Sequence, residues 1–258
     1  MMSSIYGQAS GQGPAVVLLH GFCETHHIWN ELGQEIAGKY KVLCPDLPGF
    51  GDSPLKIKNF SLEYIADELK DWLDLRQVTA CTMIGHSLGG YVTLAFAKKY
   101  PGMVEKIGLF HSSIYEDDPV KKSTRDKTID FINKNGMEAF VNSFFHNLFY
   151  APNLSQPYIK GKLEEISARA RLLKSSAVNA YLSAMKNRED SGKWISTFTK
   201  PVLFIAGSED GAVPIEVSRE QAKLSPKIEF HELNSTGHMG MFEKQFQAFD
   251  IVKKFLEK

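Results

Sequence analysis

The chain has few cysteines, no excess charge of either sign and no long apolar run, and each of these absences removes a class of protein. Three cysteines in 258 residues, Cys23, Cys44 and Cys81, are too few and too scattered for a disulfide framework or a zinc site. Two of them fall in apolar strand-like runs and read as reduced core thiols. Thirty Lys and Arg balance thirty Asp and Glu without any block of like charge, which argues against nucleic acid and against an anionic membrane surface as partners. No apolar stretch approaches the length that crosses a bilayer, and Met1 to Gly7 lacks the basic-then-apolar pattern of a secretory leader. The expected location is therefore the cytoplasm and the expected partner a small molecule. Internal repeats and low-complexity tracts are missing, which excludes solenoids and linker-rich architectures. Neither an HExxH pair nor a phosphate-binding GxGxxG or GxxxxGK[ST] occurs, so neither a metal nor an organic cofactor is expected.

What remains is ample for a folded core: 43% of the chain is apolar. Strand-like runs at 15–20, 41–45, 80–85, 106–111, 201–206 and 227–233 alternate mainly with helical patterns. That alternation predicts an α/β fold, a mostly parallel sheet flanked by helices. Residues 1–112 and 196–258 keep the rhythm, with helices expected at 91–99 and 242–257. Residues 113–195 break it and read as a helical insertion, with helices expected at 126–133, 136–149, 158–171 and 177–187. The insertion is rich in aromatics around Phe140, Phe144, Phe145 and Phe149, and helical spacing can place several on one face. Its thirteen Lys and Arg against ten Asp and Glu over 114–195 leave an excess near +3, which solvated helix faces account for.

Chemistry concentrates at the ends of the strands. Gly85-His86-Ser87-Leu88-Gly89-Gly90 follows an apolar run and leads into a helical pattern, which puts Ser87 on a strand-to-helix turn with its hydroxyl exposed and helix N–H groups beside it. Such a Gly-x-Ser-x-Gly match alone arises by chance in roughly one chain in eight of this composition, so context has to support it. The run at 201–206 ends in a turn-rich loop carrying Asp210, and the run at 227–233 is followed by a loop carrying His238. Taken singly, Ser87 fits a tight turn, Asp210 an Asx turn and His238 a loop imidazole. Taken in order, they form a nucleophile, an orienting acid and a general base. Glu209, Asp117 and Asp118 are rival acids. Asp46 and Asp52 fit turn-stabilising roles, and His20 and His86 fit structural hydrogen bonds beside glycines. His111, at the end of another strand, is placed to line a pocket. The run at 15–19 ends in His20-Gly21-Phe22, a turn that can aim a backbone N–H inward, so Phe22 and Leu88 are the candidate donors of an oxyanion hole.

The segments His20-Gly21-Phe22, Asp46 to Ser53 (DLPGFGDS), Gly85 to Gly90 (GHSLGG), Gly207 to Pro214 (GSEDGAVP) and Gly237-His238 together resemble the α/β-hydrolases, over nearly the whole chain. The resemblance to their small esterases, lactonases and perhydrolases implies that 113–195 forms a cap over the site. It further implies a substrate pocket for which Trp29, Ser112, Phe144, Phe145, Met185, Val213 and Met239 are the candidates. Dehalogenases and epoxide hydrolases of the fold use aspartate where Ser87 stands, and both are set aside. The implied activity is hydrolysis of a small to medium carboxylic ester or thioester through an acyl-enzyme on Ser87. A lyase or carbon–carbon bond hydrolase using the same three residues, and a ligand receptor derived from a hydrolase, are the alternatives. Substrate identity and oligomeric state stay open.

Overall fold

Seven strands form one sheet in a computed structural model that describes residues 4–55 and 60–258. They are β1 (Gly7–Ser10), β2 (Ala15–Leu19), β3 (Lys41–Pro45), β4 (Cys81–His86), β5 (Val104–Phe110), β6 (Val202–Gly207) and β7 (Ile228–Leu233). Their spatial order is β1-β3-β2-β4-β5-β6-β7, with every neighbour parallel except β1 against β3. β4 and β6 are buried along their whole length, which is why they read as unbroken apolar runs and not as alternating ones. β1, with the sequence Gly-Gln-Ala-Ser, has no apolar pattern and escapes sequence reading. It is a short, largely exposed edge strand that exists by pairing Gly7 to Ser10 with Pro45 to Val42.

The strand order creates the site. From β2 the chain moves outward to β3, then returns across β2 to β4, so the loops leaving β2 and β4 diverge at a switch in winding direction. A crevice at the carboxyl ends of the strands follows from that divergence.

Helices α1 (Asn30–Ile36), α2 (Leu62–Asp74) and α3 (Leu88–Lys99) connect the first half of the sheet. Ser61 caps α2 by accepting from the Tyr64 N–H at 3.2 Å. Between β5 and β6 lies the helical insertion: α4 (Pro119–Phe144), α5 (Pro157–Arg171), α6 (Ser175–Lys186) and α7 (Gly192–Thr197). α4 starts earlier than the sequence suggests, because Asp118 caps it by accepting from the Lys121 N–H at 2.8 Å and Pro119 opens its first turn. Gly136, expected to begin a helix, instead interrupts α4 with φ 80°, ψ 175°, a conformation that suits glycine and breaks the run in two. Helices α8 (Ile215–Gln221), α9 (Gly240–Glu243) and α10 (Gln245–Glu257) complete the chain, the last two being the single helix expected at 242–257, broken at Lys244.

The insertion shares the main apolar core. Tyr181 of α6 is fully buried and stacks on Phe50 at 4.3 Å between ring centroids. All three cysteines are free and buried, as the sequence suggests. No helix among the described residues is long and apolar enough to cross a membrane.

Candidate active site

β4 ends at His86 and α3 begins at Leu88, leaving Ser87 alone in the turn between them with φ 50°, ψ −115°. A serine gains nothing locally from that strained conformation, so the surroundings impose it. The Ser87 N–H donates to the Phe110 carbonyl at 2.9 Å and the Ser112 hydroxyl donates to the Ser87 carbonyl at 2.7 Å, pinning both sides of the turn. Glycine is required on either side by close approach. A Cβ on Gly85 would collide with the Gly89 backbone, and a Cβ on Gly89 would come within 2.5 Å of the Leu19 carbonyl. The half-buried Ser87 faces a cavity of about 320 Å³.

His238 lines the same cavity. Its Nδ1 lies 2.7 Å from Asp210 Oδ2, a carboxylate with no exposed surface, and the Asp210 Oδ1 accepts from the Ala212 and Val213 N–H groups at 2.8 and 2.9 Å. The loop after β7 that carries His238 is tied to the insertion, since the His238 N–H donates to the Leu148 carbonyl at 2.6 Å. Buried Glu243 organises the same loop, accepting from the N–H groups of Gly237 at 3.0 Å, Met239 at 3.3 Å and Tyr150 at 2.9 Å.

His111 was expected to line the pocket and does not. It is fully buried at the end of β5, with φ 50°, and its Nδ1 lies 3.0 Å from the same Asp210 Oδ2 that meets His238. Two imidazoles therefore share one carboxylate oxygen. Burial opposes ionisation of Asp210, but His238 and His111 outweigh it and hold the carboxyl far below the usual carboxylate range. Burial also disfavours a charged His111, only partly offset by Asp210, and pushes it down to about 4. His111 is thus a neutral donor to an ionised acid. His111, Asp210 and His238 also form a group of side chains close enough to share a metal ion, but their converging atoms already bond to one another.

The loop after β2 forms the facing wall. The Gly21 N–H donates to Glu24 Oε2 at 2.6 Å, and His86 Nδ1 lies 2.9 Å from the same oxygen. His86 Nε2 reaches the His238 carbonyl at 3.0 Å, so this buried pair links the loop, the serine turn and the histidine loop. Burial disfavours both charges, yet each partner outweighs it for the other, raising the pKa of His86 and lowering that of Glu24. Cys23 at φ 61° completes the bend. Beside it, the backbone N–H groups of Phe22 and Leu88 make no hydrogen bond among the described residues. His20 holds this bend from behind, with its Nε2 accepting from the Leu47 N–H at 2.9 Å.

The rival acids are otherwise engaged. Asp117 is salt-bridged to Arg125 and Arg188, Asp118 caps α4, and Glu209 is exposed. Asp46 holds a turn through the N–H groups of His26 and Asp52. Of the expected pocket residues, Phe144, Met185 and Val213 line the cavity. Trp29, Ser112, Phe145 and Met239 do not. All four have no exposed surface: Trp29 packs edge-on to Phe110, Phe145 backs Phe144, and Ser112 sits beneath the serine turn. Phe22 and Phe140, together with Tyr91, Leu148 and Leu182, which the sequence does not single out, supply apolar wall, and Lys121, Thr124, Arg125 and Thr128 of α4 supply a polar one.

A serine on a strand-to-helix turn thus shares one cavity with a histidine that meets a buried acid, each following a strand. Residues 14–245 match the model of the alpha/beta hydrolase fold family, and the chain belongs to that family. Lipase 3 of Moraxella sp. (strain TA144) is 24% identical over 94% of this chain and 77% of its own. A 2-hydroxy-6-oxononadienedioate/2-hydroxy-6-oxononatrienedioate hydrolase of Pseudomonas sp is 26% identical over 99% of this chain and 92% of its own. The structure of a thermophilic esterase from Thermogutta terrifontis superposes with a TM-score of 0.92 at 24% identity, covering 98% of this chain and 93% of that one. With such relatives, the protein is a hydrolase in the general sense.

Proposed function

We propose that the protein is a serine hydrolase of small to medium carboxylic esters or thioesters, with Ser87 as nucleophile, His238 as general base and acid, and Asp210 as the residue that orients His238. The observation that carries this reading is the line of three groups: a serine held in a strained turn, a histidine lining the same cavity, and a buried ionised acid 2.7 Å from that histidine's far nitrogen. A hydroxyl is a weak nucleophile at neutral pH and needs a base within reach. Asp210 accepts from His238 Nδ1, which leaves Nε2 as the lone-pair nitrogen that takes the Ser87 proton. The Ser87 oxygen then bonds to the acyl carbon, and the carbonyl oxygen becomes an oxyanion. The unpaired N–H groups of Phe22 and Leu88 are suited to receive it, since a buried unpaired donor is costly unless something uses it. Collapse breaks the bond to the leaving group, which departs with the proton from His238. Water, deprotonated by the same histidine, releases the acid and restores Ser87.

On this reading residues 1–112 and 196–258 are the catalytic core, and 113–195 is a cap whose helices α4 and α6 roof the cavity. Three buried free thiols suit a reducing cytoplasm. Steady-state hydrolysis of p-nitrophenyl esters from acetate to decanoate tests the reading. Wild-type turnover that falls by roughly four or more orders of magnitude in Ser87→Ala supports it, and equal turnover in both sinks it. The likeness to the Pseudomonas hydrolase favours a second reading, carbon–carbon bond hydrolysis by the same three residues. Activity confined to polyfunctional acid substrates, with none on simple esters, would select it.

A further inference from the structure

The cavity that holds Ser87 has two unlike walls. One is aromatic and aliphatic, led by Phe140 and Phe144, which stack on each other at 4.9 Å. The other is one face of α4, where Lys121 and Arg125 stand a single helical turn apart. Like charges at that spacing repel and are disfavoured unless something compensates.

Compensation inside the protein is incomplete. Asp117 is fully buried between two guanidinium groups, and the Asp118 carboxylate meets the wall only at the Lys121 backbone, accepting from its N–H at 2.8 Å. Arg125 reaches Asp117 through Nε and through Nη2, the latter at 3.3 Å, and Arg188 Nη1 lies 2.7 Å from the same Oδ1. The Lys121 ammonium donates to the Ala212 carbonyl at 2.8 Å. Of the two cations that line this wall, Arg125 is held by Asp117, and the Lys121 ammonium is the one whose side chain meets no carboxylate among the described residues. Glu24, which also lines the cavity, is paired with His86, and the Asp210 carboxylate is turned toward His111 and His238 behind the cavity wall. The Lys121 ammonium lies beside a partly buried space, where solvent screens it less than at an open surface.

We infer that the wall formed by Lys121 and Arg125 receives a carboxylate, so that the substrate is an ester carrying a second, anionic carboxyl group at a distance from the scissile bond. This deepens the ester hydrolase reading and rests on it. The cavity, of about 320 Å³, offers an apolar wall and a cationic wall side by side, which suits a monoester of a short dicarboxylic acid. The apolar wall takes the methylene chain, Ser87 the ester carbon, and Lys121 and Arg125 the far carboxylate. A charge-assisted contact of this kind supports a preference of about ten- to a hundredfold over a neutral analogue.

The test uses Ser87→Ala protein, in which ligands persist, and titrates it calorimetrically with two matched pairs. Monomethyl adipate against dimethyl adipate places the charge on the acyl side. 6-Acetoxyhexanoate against its methyl ester places it on the alcohol side. At least tenfold tighter binding of one anion than of its neutral partner is expected. That ratio should shrink with added salt, fall to near one in Lys121→Met, reverse in Lys121→Glu and survive in Lys121→Arg. Whichever anion wins identifies the side that carries the charge. Neutral partners binding as tightly as both anions would overturn the inference, as would a preference unmoved by Lys121→Glu. Because binding is read without turnover, failure of the ester hydrolase reading shows separately, as wild-type protein that cleaves neither monoester nor diester.

Discussion

Asp210 sits at the point where the sequence is most and least informative. Its place in a turn-rich strand-end loop, between the serine and the histidine in chain order, singles it out without any structure. That His111, 99 positions earlier, leans on the same oxygen is invisible, because nothing in the residues around 111 marks which loop closes over it. Glu24 and Glu243 were missed for the same reason: each is an ordinary acid in sequence, made important by backbone N–H groups that folding brings to it. The buried His111 has a measurable signature. In the unfolded chain it takes up a proton near 6.5, and in the folded protein it resists until about 4. Its contribution to stability is therefore fully present above pH 6.5 and is lost as the pH falls from there toward about 4. Urea unfolding of the wild type should lose about 2 kcal/mol more between pH 7 and pH 5 than unfolding of His111→Gln, which has no proton to take up. Equal losses in the two proteins would show that His111 is not held neutral.

Between the elements, contact distances decide what is tolerated. α3 approaches β2 so closely that Gly89→Ala should lower stability by about 3 kcal/mol in urea unfolding, whereas Gly102→Ala, with open space around the new methyl, should change it by less than about 0.5 kcal/mol. The aromatic side of the cavity is equally specific. Phe22, which carries a proposed oxyanion donor, meets Phe144 edge-on at 5.6 Å. Phe144→Ala should therefore raise kcat/KM for octanoate relative to butyrate p-nitrophenyl esters several-fold by lengthening the cavity. An unchanged ratio would mean that the acyl chain lies elsewhere. Elements buried on both faces were legible as apolar runs, as β4 and β6 illustrate. β1 was not, since its four residues form a strand only through β3, and the break at Gly136 was hidden inside an otherwise helical pattern.

Over the whole molecule, a net charge of zero concealed an uneven distribution. Counting charges along the insertion gave a small excess that solvent-facing helices explain, and only the fold shows Lys121 and Arg125 turned toward the cavity. The sheet order likewise explains why residues as far apart as Phe22, Ser87 and His238 meet: each follows a strand whose carboxyl end opens on one crevice. A mechanism built from side chains, backbone donors and water predicts that EDTA leaves ester hydrolysis unchanged, which a rate assay before and after chelation checks. The most direct measurement is stoichiometric labelling with a fluorophosphonate, which traps a serine activated by a neighbouring base, followed by peptide mapping and activity assay on the same sample. One label per chain on Ser87, with esterase activity lost in proportion and no label on Ser87→Ala, is the expected result. Esterase activity that persists in fully labelled protein, or a label carried by another residue, would contradict Ser87 as the nucleophile.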